Sequence, residues 1–308
     1  MLKRKVGIIG AGLVGATTAY SLAMLEICTE IILYDIVTDV AIGKAIDIEQ
    51  STSFSSKATI INYALTPADM INCDIVIVTA GVPRKANMTR NDLLDINSKI
   101  IKDVTKNIVK YSPKAIIICV SNPLDVMTYL MYKESGLERN RIIGMAGALD
   151  SARMSYYIAK KTAMDSSQIK SMVLGEHGEK MLPCPTISAI SGVPINQLIG
   201  KSDIDNIIED TKSGGATIVK HLKTSAYYAP ARAITEMVSA ILNDSKVIIP
   251  SSVVLDGEYG YRDTTLGVPV VLGRNGVEKI IELPLEESIK TQLDDCVISI
   301  KDSIAILS

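Results

Sequence analysis

Residues 6–35 constrain the fold of this chain more than any other stretch. They run VGIIGAGLVGATTAYSLAMLEICTEIILYD, in which Gly10, Gly12 and Gly15 give the pattern G-x-G-x-x-G directly after an apolar run. Such glycines meet three requirements, namely a tight turn, a close backbone approach to a pyrophosphate, and close packing of a helix. A second apolar run ends at Asp35. The stretch therefore predicts a strand, a glycine turn, a helix, a second strand and a terminal acid.

The same spacing predicts the ligand of this turn. A helix that begins at the glycines offers unpaired N–H groups and a positive dipole end to phosphates. Asp35 lies 20 residues after Gly15, the distance at which a carboxylate binds a ribose diol. Because that carboxylate would repel a 2′-phosphate, we predict NAD rather than NADP as the cofactor, with four contacts, Gly10, Gly12, Gly15 and Asp35.

A signal peptide or a membrane anchor is the alternative interpretation of this stretch. Lys3, Arg4 and Lys5 precede a run over residues 6–25 that has no charged residue. Several glycines, two threonines, a tyrosine and a serine within the run make it a poor membrane segment. A strand, turn and helix of the dinucleotide-binding kind give an uncharged run in any case.

Composition narrows the class of protein further. The 308 residues suit two domains of ordinary size, and 47% hydrophobic content with a mean hydropathy of +0.26 favours strands buried on both faces. A net charge of −2 and a pI near 5.8 argue against a nucleic-acid surface. Five separate cysteines are predicted to be reduced core residues of a cytoplasmic protein. Two histidines and no C-x-x-C argue against a histidine or cysteine metal centre.

Apolar runs alternate with helical stretches up to about residue 144. Runs of strand length at residues 73–80 and 115–120 flank a stretch with apolar positions at helical spacing, residues 91–111. The polar segment GVPRKANMTR, residues 81–90, should form a loop at the carboxyl edge of the sheet, where ligands bind. The alternation predicts an α/β fold with a doubly wound parallel sheet.

Beyond about residue 144 the pattern changes to longer helices and a few separated strands, such as residues 247–255 and 268–272. An amphipathic helix closes the chain after Pro284. We therefore predict a Rossmann NAD-binding domain over residues 1–144, followed by an α+β substrate domain over residues 145–308.

A hydride-transfer enzyme also needs a base for the alcohol proton, and His177 is the best candidate. It follows a short apolar run and lies between Gly175 and Gly178, which permit close approach of a ligand. The alternative, an ordinary surface or core histidine, stays open from the residues alone. His221 lies among lysines in a helical stretch and is predicted to be solvated.

An acid and an arginine, Asp150 and Arg153, lie three residues apart near a predicted helix start. Such a pair can serve a binding site, but an N-cap and a surface cation explain it equally well. The residues alone leave both interpretations open.

Six short segments, spread in order over nearly the whole chain, are GAGLVG, AGVPRKANMTR, SNP, GMAGALDSAR, LGEHG and SAYYAPA. Together they resemble the lactate and malate dehydrogenase family, and within it the lactate-dehydrogenase-like malate dehydrogenases. One such segment is weak evidence, whereas six in the family's order are specific. The resemblance implies an NAD-dependent oxidoreductase that passes a hydride between a small 2-hydroxy acid and the cofactor.

The resemblance also implies roles for individual residues. His177 is expected to accept and donate the proton at the substrate oxygen, and Asp150 to hydrogen-bond its imidazole. Arg153 is expected to bind the substrate carboxylate with its planar guanidinium. Arg90 is expected to polarise the substrate carbonyl once the loop of residues 81–90 closes.

Two asparagines and one further arginine complete the implied site. Asn122 is expected to contact both the nicotinamide and the substrate, and Asn97 the cofactor. Arg84 is expected to bind the second carboxylate of oxaloacetate, at a position where lactate enzymes usually have glutamine. Burying that carboxylate without a partner would cost on the order of 3–5 kcal/mol, so the resemblance implies malate as the substrate. Met88 and Ala226 favour the same substrate.

Two positions depart from the family pattern. Ala86 and Asn87 replace the usual Pro-Gly of the loop, so its hinge stiffness and closing rate are expected to differ. Asn87 can still adopt a left-handed backbone conformation. Glu179 stands two residues after His177, where the family usually has aspartate.

Three other functions remain open from the sequence. One is an L-lactate dehydrogenase or another 2-hydroxy-acid dehydrogenase of the same fold, against which Arg84 argues. Another is a short-chain dehydrogenase, because two pairs match Y-x-x-x-K, namely Tyr129–Lys133 and Tyr157–Lys161. The glycine spacing is wrong for that family, and both pairs are simply neighbours at i and i+4 in helical stretches. The third is a non-catalytic NAD-binding sensor, which would need the glycine turn but not the catalytic set.

The implied partners are a small-molecule dicarboxylate and further copies of the same chain. The resemblance implies a homotetramer or a homodimer. We expect no nucleic-acid partner and no membrane partner.

Overall fold

The structure is a computed structural model that describes residues 4–57, 59–83 and 88–307, with Arg90 described through its backbone alone. Arg84, Ala86 and Asn87, which the sequence analysis assigned to the substrate loop, lie outside the described residues.

Parallel strands form the sheet of the first half. They are β1 (Lys5–Ile9), β2 (Glu30–Tyr34), β3 (Ile60–Ala64), β4 (Ile75–Val78), β5 (Ile116–Cys119) and β6 (Ile142–Gly144). Their order across the sheet is β3-β2-β1-β4-β5-β6, which is the doubly wound order of dinucleotide-binding folds. The predicted Rossmann sheet is confirmed.

Four helices connect these strands, and they are α1 (Leu13–Met24), α2 (Thr38–Thr52), α3 (Arg90–Tyr111) and α4 (Leu124–Ser135). The uncharged run over residues 6–25 forms β1 and α1, so the interpretation of this run as a membrane anchor is wrong. Every residue of β4 and β5 is buried, because helices cover both faces of a doubly wound sheet. The carboxyl ends of these strands point toward the loops that carry the site.

The second half combines helices with mostly antiparallel strands. Its helices are α5 (Ala146–Thr162), α6 (Lys201–Leu222), α7 (Tyr228–Leu242) and α8 (Glu287–Ala305). Short strands come first, namely β7 (Ile169–Lys170), β8 (Val173–Gly175), β9 (Met181–Pro183), β10 (Ala189–Ile190) and β11 (Val193–Pro194). Longer strands follow, namely β12 (Val247–Asp256), β13 (Arg262–Gly273) and β14 (Gly276–Ile280).

The sheet of the first half continues into the second. β12 pairs antiparallel with β6, where Ser252 lies opposite Gly144. β13 pairs with β12 and, at Gly267 opposite Gly175, with β8. Within the described residues, one sheet of eleven strands therefore spans both halves, beside a separate small sheet of β7, β10 and β11. The domain boundary near residue 144 stays a prediction.

β13 is longer than its sequence indicates, because the predicted strand covered residues 268–272 and the observed one begins at Arg262. Thr264 and Thr265 are polar, yet both are fully buried. Thr265 is accommodated because its hydroxyl donates a hydrogen bond to the backbone oxygen of Asp125, 2.7 Å away. Tertiary hydrogen bonding thus extends the strand beyond its apolar run.

The five cysteines are buried as free thiols, as predicted for core residues. Burial raises the pKa values of these thiols, to about 12 for Cys28 and Cys184. Among the helices that the structure describes, none has the length and apolar character that a membrane crossing requires.

Candidate active site

The glycine turn between β1 and α1 leaves room for a phosphate. Gly10 has a φ of +101°, which favours glycine. A Cβ on Gly15 would lie 1.9 Å from the carbonyl oxygen of Gly10, so only glycine lets α1 pack this closely. Gly12, the N-cap of α1, has no atom within 4 Å of where its Cβ would lie, and no side chain caps the helix there. The open space at the helix N-terminus fits a pyrophosphate.

Asp35 lies at the end of β2, beside this turn. Its Oδ2 accepts a hydrogen bond from the backbone N–H of Ala11 at 2.7 Å, and its Oδ1 accepts one from the N–H of Val37 at 2.9 Å. Each carboxylate oxygen can accept a second hydrogen bond. The carboxylate is thus fixed in place with capacity left for a ribose diol.

A cavity of about 550 Å³ joins the glycine turn to Asp35. Its far wall is one face of α3, with Lys99, Asp103 and Asn107. Burial and the charges of Asp103 and Asp35 raise the pKa of Tyr34, which also lines this cavity. The size, the glycine turn and the carboxylate together fit NAD.

Asn97 lies inside α3 and is 1% exposed. Its Oδ1 accepts a hydrogen bond from the N–H of Val82, and its Nδ2 donates to the backbone oxygens of Val82 and Asn122, the latter at 2.7 Å. The amide thus joins the start of the substrate loop to the loop after β5, where Asn122 lies exposed. The predicted contacts of these two asparagines with ligands stay predictions.

His177, Asp150 and Arg153 lie together, as the resemblance implied. His177 follows β8, and its Nδ1 lies 2.8 Å from Oδ2 of Asp150. Asp150 is on α5, is 2% exposed and accepts a second hydrogen bond, at Oδ1, from Arg153 at 3.1 Å. Because Met145 is the N-cap of α5, Asp150 is not a helix cap.

Arg153 is not a free surface cation, since its side chain is only 14% exposed. Its Nε is buried and finds no hydrogen-bond partner among the described residues. The guanidinium packs against α6, where a Cβ on Gly215 would lie 3.4 Å from Nη2. A buried guanidinium with an unused donor suits an anionic ligand. The glycine pair Gly214 and Gly215 inside a helical stretch is a signal from which the sequence analysis could have predicted this close packing, but did not.

The electrostatics around His177 favour its protonated form. Burial lowers the pKa of this imidazole, but the charge and hydrogen bond of Asp150, with the charge of Asp125, outweigh burial and Arg153. The net result is a raised pKa. A histidine of this kind can hold a proton and release it near neutral pH.

Asp125, in the first turn of α4, is a site residue that the sequence analysis did not identify. It is 2% exposed, and its Oδ2 accepts a hydrogen bond from the backbone N–H of His177 at 2.8 Å. Its Oδ1 accepts one from the hydroxyl of Ser252 at 2.6 Å. An acid in a first turn is ordinarily explained by the helix dipole, so no sequence signal singled it out.

His221 and the two Y-x-x-x-K pairs are not part of the set formed by His177, Asp150 and Arg153. His221 is exposed on α6, as predicted. The two Y-x-x-x-K pairs are i, i+4 neighbours: the ammonium of Lys133 lies 5.4 Å from the ring centre of Tyr129, and Lys161 forms an ion pair with Asp203.

Of the two loop arginines, Arg84 and Arg90, the structure describes only the backbone of Arg90. Arg84 lies outside the described residues. Arg90 is the first residue of α3, which begins at an N-cap, Thr89, whose hydroxyl accepts a hydrogen bond from the N–H of Asp92. The roles of both arginines stay predictions.

Family models match both halves of the chain. The model for the lactate/malate dehydrogenase NAD-binding domain matches residues 4–144, and the model for the lactate/malate dehydrogenase alpha/beta C-terminal domain matches residues 147–307. The chain belongs to the lactate/malate dehydrogenase family. This membership confirms the fold class, the NAD cofactor and the assignment as an NAD-dependent oxidoreductase.

Curated relatives in this family match the chain over its whole length. A protein of Sulfurimonas denitrificans named malate dehydrogenase is 54% identical over 306 residues, which cover 99% of this chain and 96% of that protein. A malate dehydrogenase of Aliarcobacter butzleri is 47% identical and covers 100% of this chain and 98% of its own length.

Solved structures of both branches of the family superpose equally well on the chain. The malate dehydrogenase of Cryptosporidium parvum has a TM-score of 0.95 at 37% identity, with coverage of 99% and 98% of the two chains. The lactate dehydrogenase of the same organism, complexed with lactic acid and nicotinamide adenine dinucleotide, has a TM-score of 0.95 at 34% identity, with coverage of 100% and 98%. The backbone alone therefore does not distinguish the substrates.

Proposed function

We propose that the chain catalyses the reversible, NAD-dependent oxidation of (S)-malate to oxaloacetate. The observation that carries the proposal is the set of His177, Asp150 and Arg153, in which one buried carboxylate joins a proton acceptor to a guanidinium whose Nε has no hydrogen-bond partner among the described residues. A non-catalytic NAD-binding sensor has no use for such a set. The names of the full-length relatives support malate as the substrate.

Each member of the set has a distinct task. Arg153 binds the C1 carboxylate, using donors that include its unpaired Nε. Asp150 holds the proton of His177 on Nδ1, so that Nε2 accepts the hydroxyl proton of malate and returns it to oxaloacetate in the reverse direction. The chemistry that NAD supplies when bound is acceptance of the hydride from C2.

The glycine turn, Asp35 and the two asparagines are proposed to hold the cofactor. Gly10, Gly12 and Gly15 bring the N-terminus of α1 to the pyrophosphate, and Asp35 binds the ribose diol. We propose that Asn97 acts on the cofactor site by fixing Val82 and Asn122, because its amide nitrogen donates to the backbone oxygens of both residues and its oxygen accepts from the N–H of Val82. Asn122, the exposed residue whose backbone oxygen accepts the hydrogen bond from Asn97, contacts both the cofactor and the substrate.

Arg84 and Arg90 are proposed to act from the substrate loop. Arg84 binds the second carboxylate of oxaloacetate, and Arg90 polarises the carbonyl when the loop closes. We also propose that the chain divides near residue 144 into a half that holds NAD and a half that supplies the base.

An L-lactate dehydrogenase is the second candidate, because the lactate dehydrogenase of Cryptosporidium parvum superposes with the same TM-score of 0.95 as the malate enzyme. Pyruvate has a methyl group in place of the second carboxylate. Arg84 would then be left as a buried, unpaired charge under the closed loop.

The deciding experiment is NADH oxidation by the purified protein with oxaloacetate and, separately, with pyruvate. We expect kcat/KM to be higher for oxaloacetate by roughly two to three and a half powers of ten, the rate equivalent of about 3–5 kcal/mol. A preference for pyruvate would favour the lactate enzyme and keep the histidine mechanism. No oxidation with either oxo acid would contradict both.

Self-association and a cytoplasmic location are also proposed. Exposed apolar side chains support a homotetramer or homodimer, since Val40 and Ile46 on α2 are 39% and 48% exposed and Tyr156 on α5 is 57% exposed. Sedimentation equilibrium measures the mass of the assembly. Five free, buried thiols support a reducing compartment.

A further inference from the structure

We propose that Asp125 is a positioning residue for the proton-transfer histidine. Its buried carboxylate fixes the backbone of His177 and places a second negative charge beside the imidazole, in addition to Asp150. The inference rests on the proposed role of His177 and extends the proposed function to a residue in the other half of the chain.

Both side-chain hydrogen bonds of Asp125, and one to its backbone oxygen, come from other parts of the fold. Its Oδ2 accepts from the N–H of His177 at 2.8 Å, and its Oδ1 accepts from the hydroxyl of Ser252, on β12, at 2.6 Å. Its backbone oxygen accepts from the hydroxyl of Thr265, on β13, at 2.7 Å. Ser252 and Thr265 are both 0% exposed. Asp125 therefore joins α4 of the NAD half to three segments of the second half.

A negative charge is not needed merely to satisfy these donors. An amide at this position could accept from the N–H of His177 with its oxygen and donate to the hydroxyl oxygen of Ser252 with its nitrogen, and burying a charged carboxylate is far more costly than burying an amide. The charge at Asp125 is therefore unfavourable for stability unless it acts on a neighbour. The neighbour that gains from a negative charge here is the protonated imidazole of His177.

The charged and titratable groups around Asp125 and His177 determine how the charge of Asp125 affects the imidazole. Asp150 and Arg153 face His177 from α5, and Asp125 faces it from α4. The groups that face Asp125 are His177, Glu176, Cys119 at the end of β5 and Cys296 on α8.

Burial raises the pKa of Asp125 to about 6, against the lowering effects of Ser252 and His177. The carboxylate is therefore charged at neutral pH and takes up a proton as the pH falls through about 6. His177 then keeps Asp150 but loses its other negative neighbour. The protonated imidazole should accordingly be less favoured when Asp125 is neutral.

The closing experiment follows the imidazole directly, in the protein without cofactor or substrate. The chain has two histidines, so isotope labelling of histidine gives two sets of ring resonances, and His221→Gln assigns them. In Asp125→Asn the pKa of His177 should fall below its value in the parent, while that of the exposed His221 stays unchanged. Thr265→Val is the matched control, because it removes a hydrogen bond to the backbone of Asp125 and keeps the carboxylate.

Kinetics provide the second measurement. Asp125→Asn should lower kcat roughly tenfold, the effect of removing one favourable charge beside the protonated imidazole, with little change in KM because Arg153 is untouched. The alkaline limb of the profile for oxo-acid reduction should move to lower pH. A purely structural role would lower Tm and leave both the titration of His177 and the pH profile in place.

Each outcome decides the inference. A pKa of His177 equal to that of the parent in Asp125→Asn would overturn it. If that variant does not fold, Ser252→Ala tests the same point, because loss of the hydroxyl favours the neutral carboxylate and should also lower the pKa of His177; an unchanged value would overturn the inference. Failure of the parent to act on oxaloacetate would contradict the proposed function alone, since the titration needs no substrate.

Discussion

The glycine turn offers a matched pair of substitutions that separate fold from ligand binding. Gly15→Ala places a Cβ 1.9 Å from the carbonyl oxygen of Gly10, whereas Gly12→Ala places one in open space with no atom within 4 Å. Neither glycine has a positive φ. Strain in the backbone angles therefore does not complicate the comparison.

The magnitude for Gly15→Ala follows from the displacement that it needs. An ordinary contact starts at 3.4 Å, so the two atoms must separate by about 1.5 Å. The obstacle is a backbone carbonyl that also accepts a hydrogen bond from Thr79 at 2.9 Å, so it cannot turn aside cheaply. We expect a cost at the upper end of overpacking, about 3 kcal/mol, less about 1 kcal/mol gained from the helix propensity of alanine. The net loss of about 2 kcal/mol lowers the Tm of a chain of this length by roughly 3 °C.

Gly12→Ala should leave the stability unchanged and weaken the binding of NADH. Its methyl group meets no protein atom, so Tm should stay within about 1 °C of the parent. The same methyl group occupies the space proposed for the pyrophosphate, so the Kd for NADH should rise roughly ten- to hundredfold. Thermal unfolding without ligand and titration of NADH by calorimetry measure the two effects.

Two results would refute this reasoning. If Gly15→Ala were as stable as the parent, the helix would relieve the contact cheaply and close packing would not explain the glycine. If Gly12→Ala bound NADH with the Kd of the parent, the pyrophosphate would not lie against Gly12.

The other predictions concern the base, the cofactor and the substrate. His177→Asn should abolish turnover while NADH still binds, and activity near that of the parent would disprove the role of the base. Because the neighbouring carboxylates raise the pKa of His177 above 6.5 despite its burial, the protonated imidazole persists to higher pH. The kcat/KM for oxo-acid reduction should therefore be high below this pKa and fall as the pH rises through it, whereas hydroxy-acid oxidation should rise over the same range; identical profiles in both directions would contradict this. Asp35→Ser should narrow the preference for NADH over NADPH by roughly tenfold, about one lost charge repulsion of 1.4 kcal/mol, and an unchanged ratio would assign the discrimination to another group. Arg84→Gln should move the ratio of kcat/KM from oxaloacetate toward pyruvate by roughly two powers of ten or more; an unaltered ratio would mean that other residues recognise the second carboxylate.

The sequence predicts best where the determinants are local. The strand, turn, helix and strand of residues 6–35 follow from apolar runs and glycine spacing, and the structure has β1, α1 and β2 there. The strands β4 and β5 follow from continuous apolar runs that match a sheet covered on both faces. Strands of two residues, such as β7 and β10, have no period to detect and were not predicted.

The partners of a strand are harder to predict than the strand itself. The segment that forms β12 was predicted as a strand, but its pairing with β6 depends on Ser252 meeting Gly144, more than a hundred residues away. The two strands approach closely at this pair, because a Cβ on Gly144 would lie 2.8 Å from the Cβ of Ser252. Periodicity reports which face of a segment is apolar and carries no information on its neighbour.

The residues of the candidate site also differ in how well the sequence predicted them. His177 and Asp150 were assigned through the resemblance, and they lie in hydrogen-bond contact. Asp125 was missed because its partners are 52 and 127 residues away, at His177 and Ser252. Nothing in the segment around Asp125 distinguishes a buried tertiary acceptor from an ordinary first-turn acid.

The unbroken sheet restricts how such a chain can be recombined. β6 and β12 are neighbours in one sheet although they belong to different halves. A cut after residue 144 would leave an unpaired strand edge on each fragment, and such edges pair with other chains. A chimera that takes its second half from a relative must therefore preserve the pairing of β6 with β12, where Gly144 lies opposite Ser252, as well as the catalytic residues. We therefore expect the two halves to have been retained together during evolution.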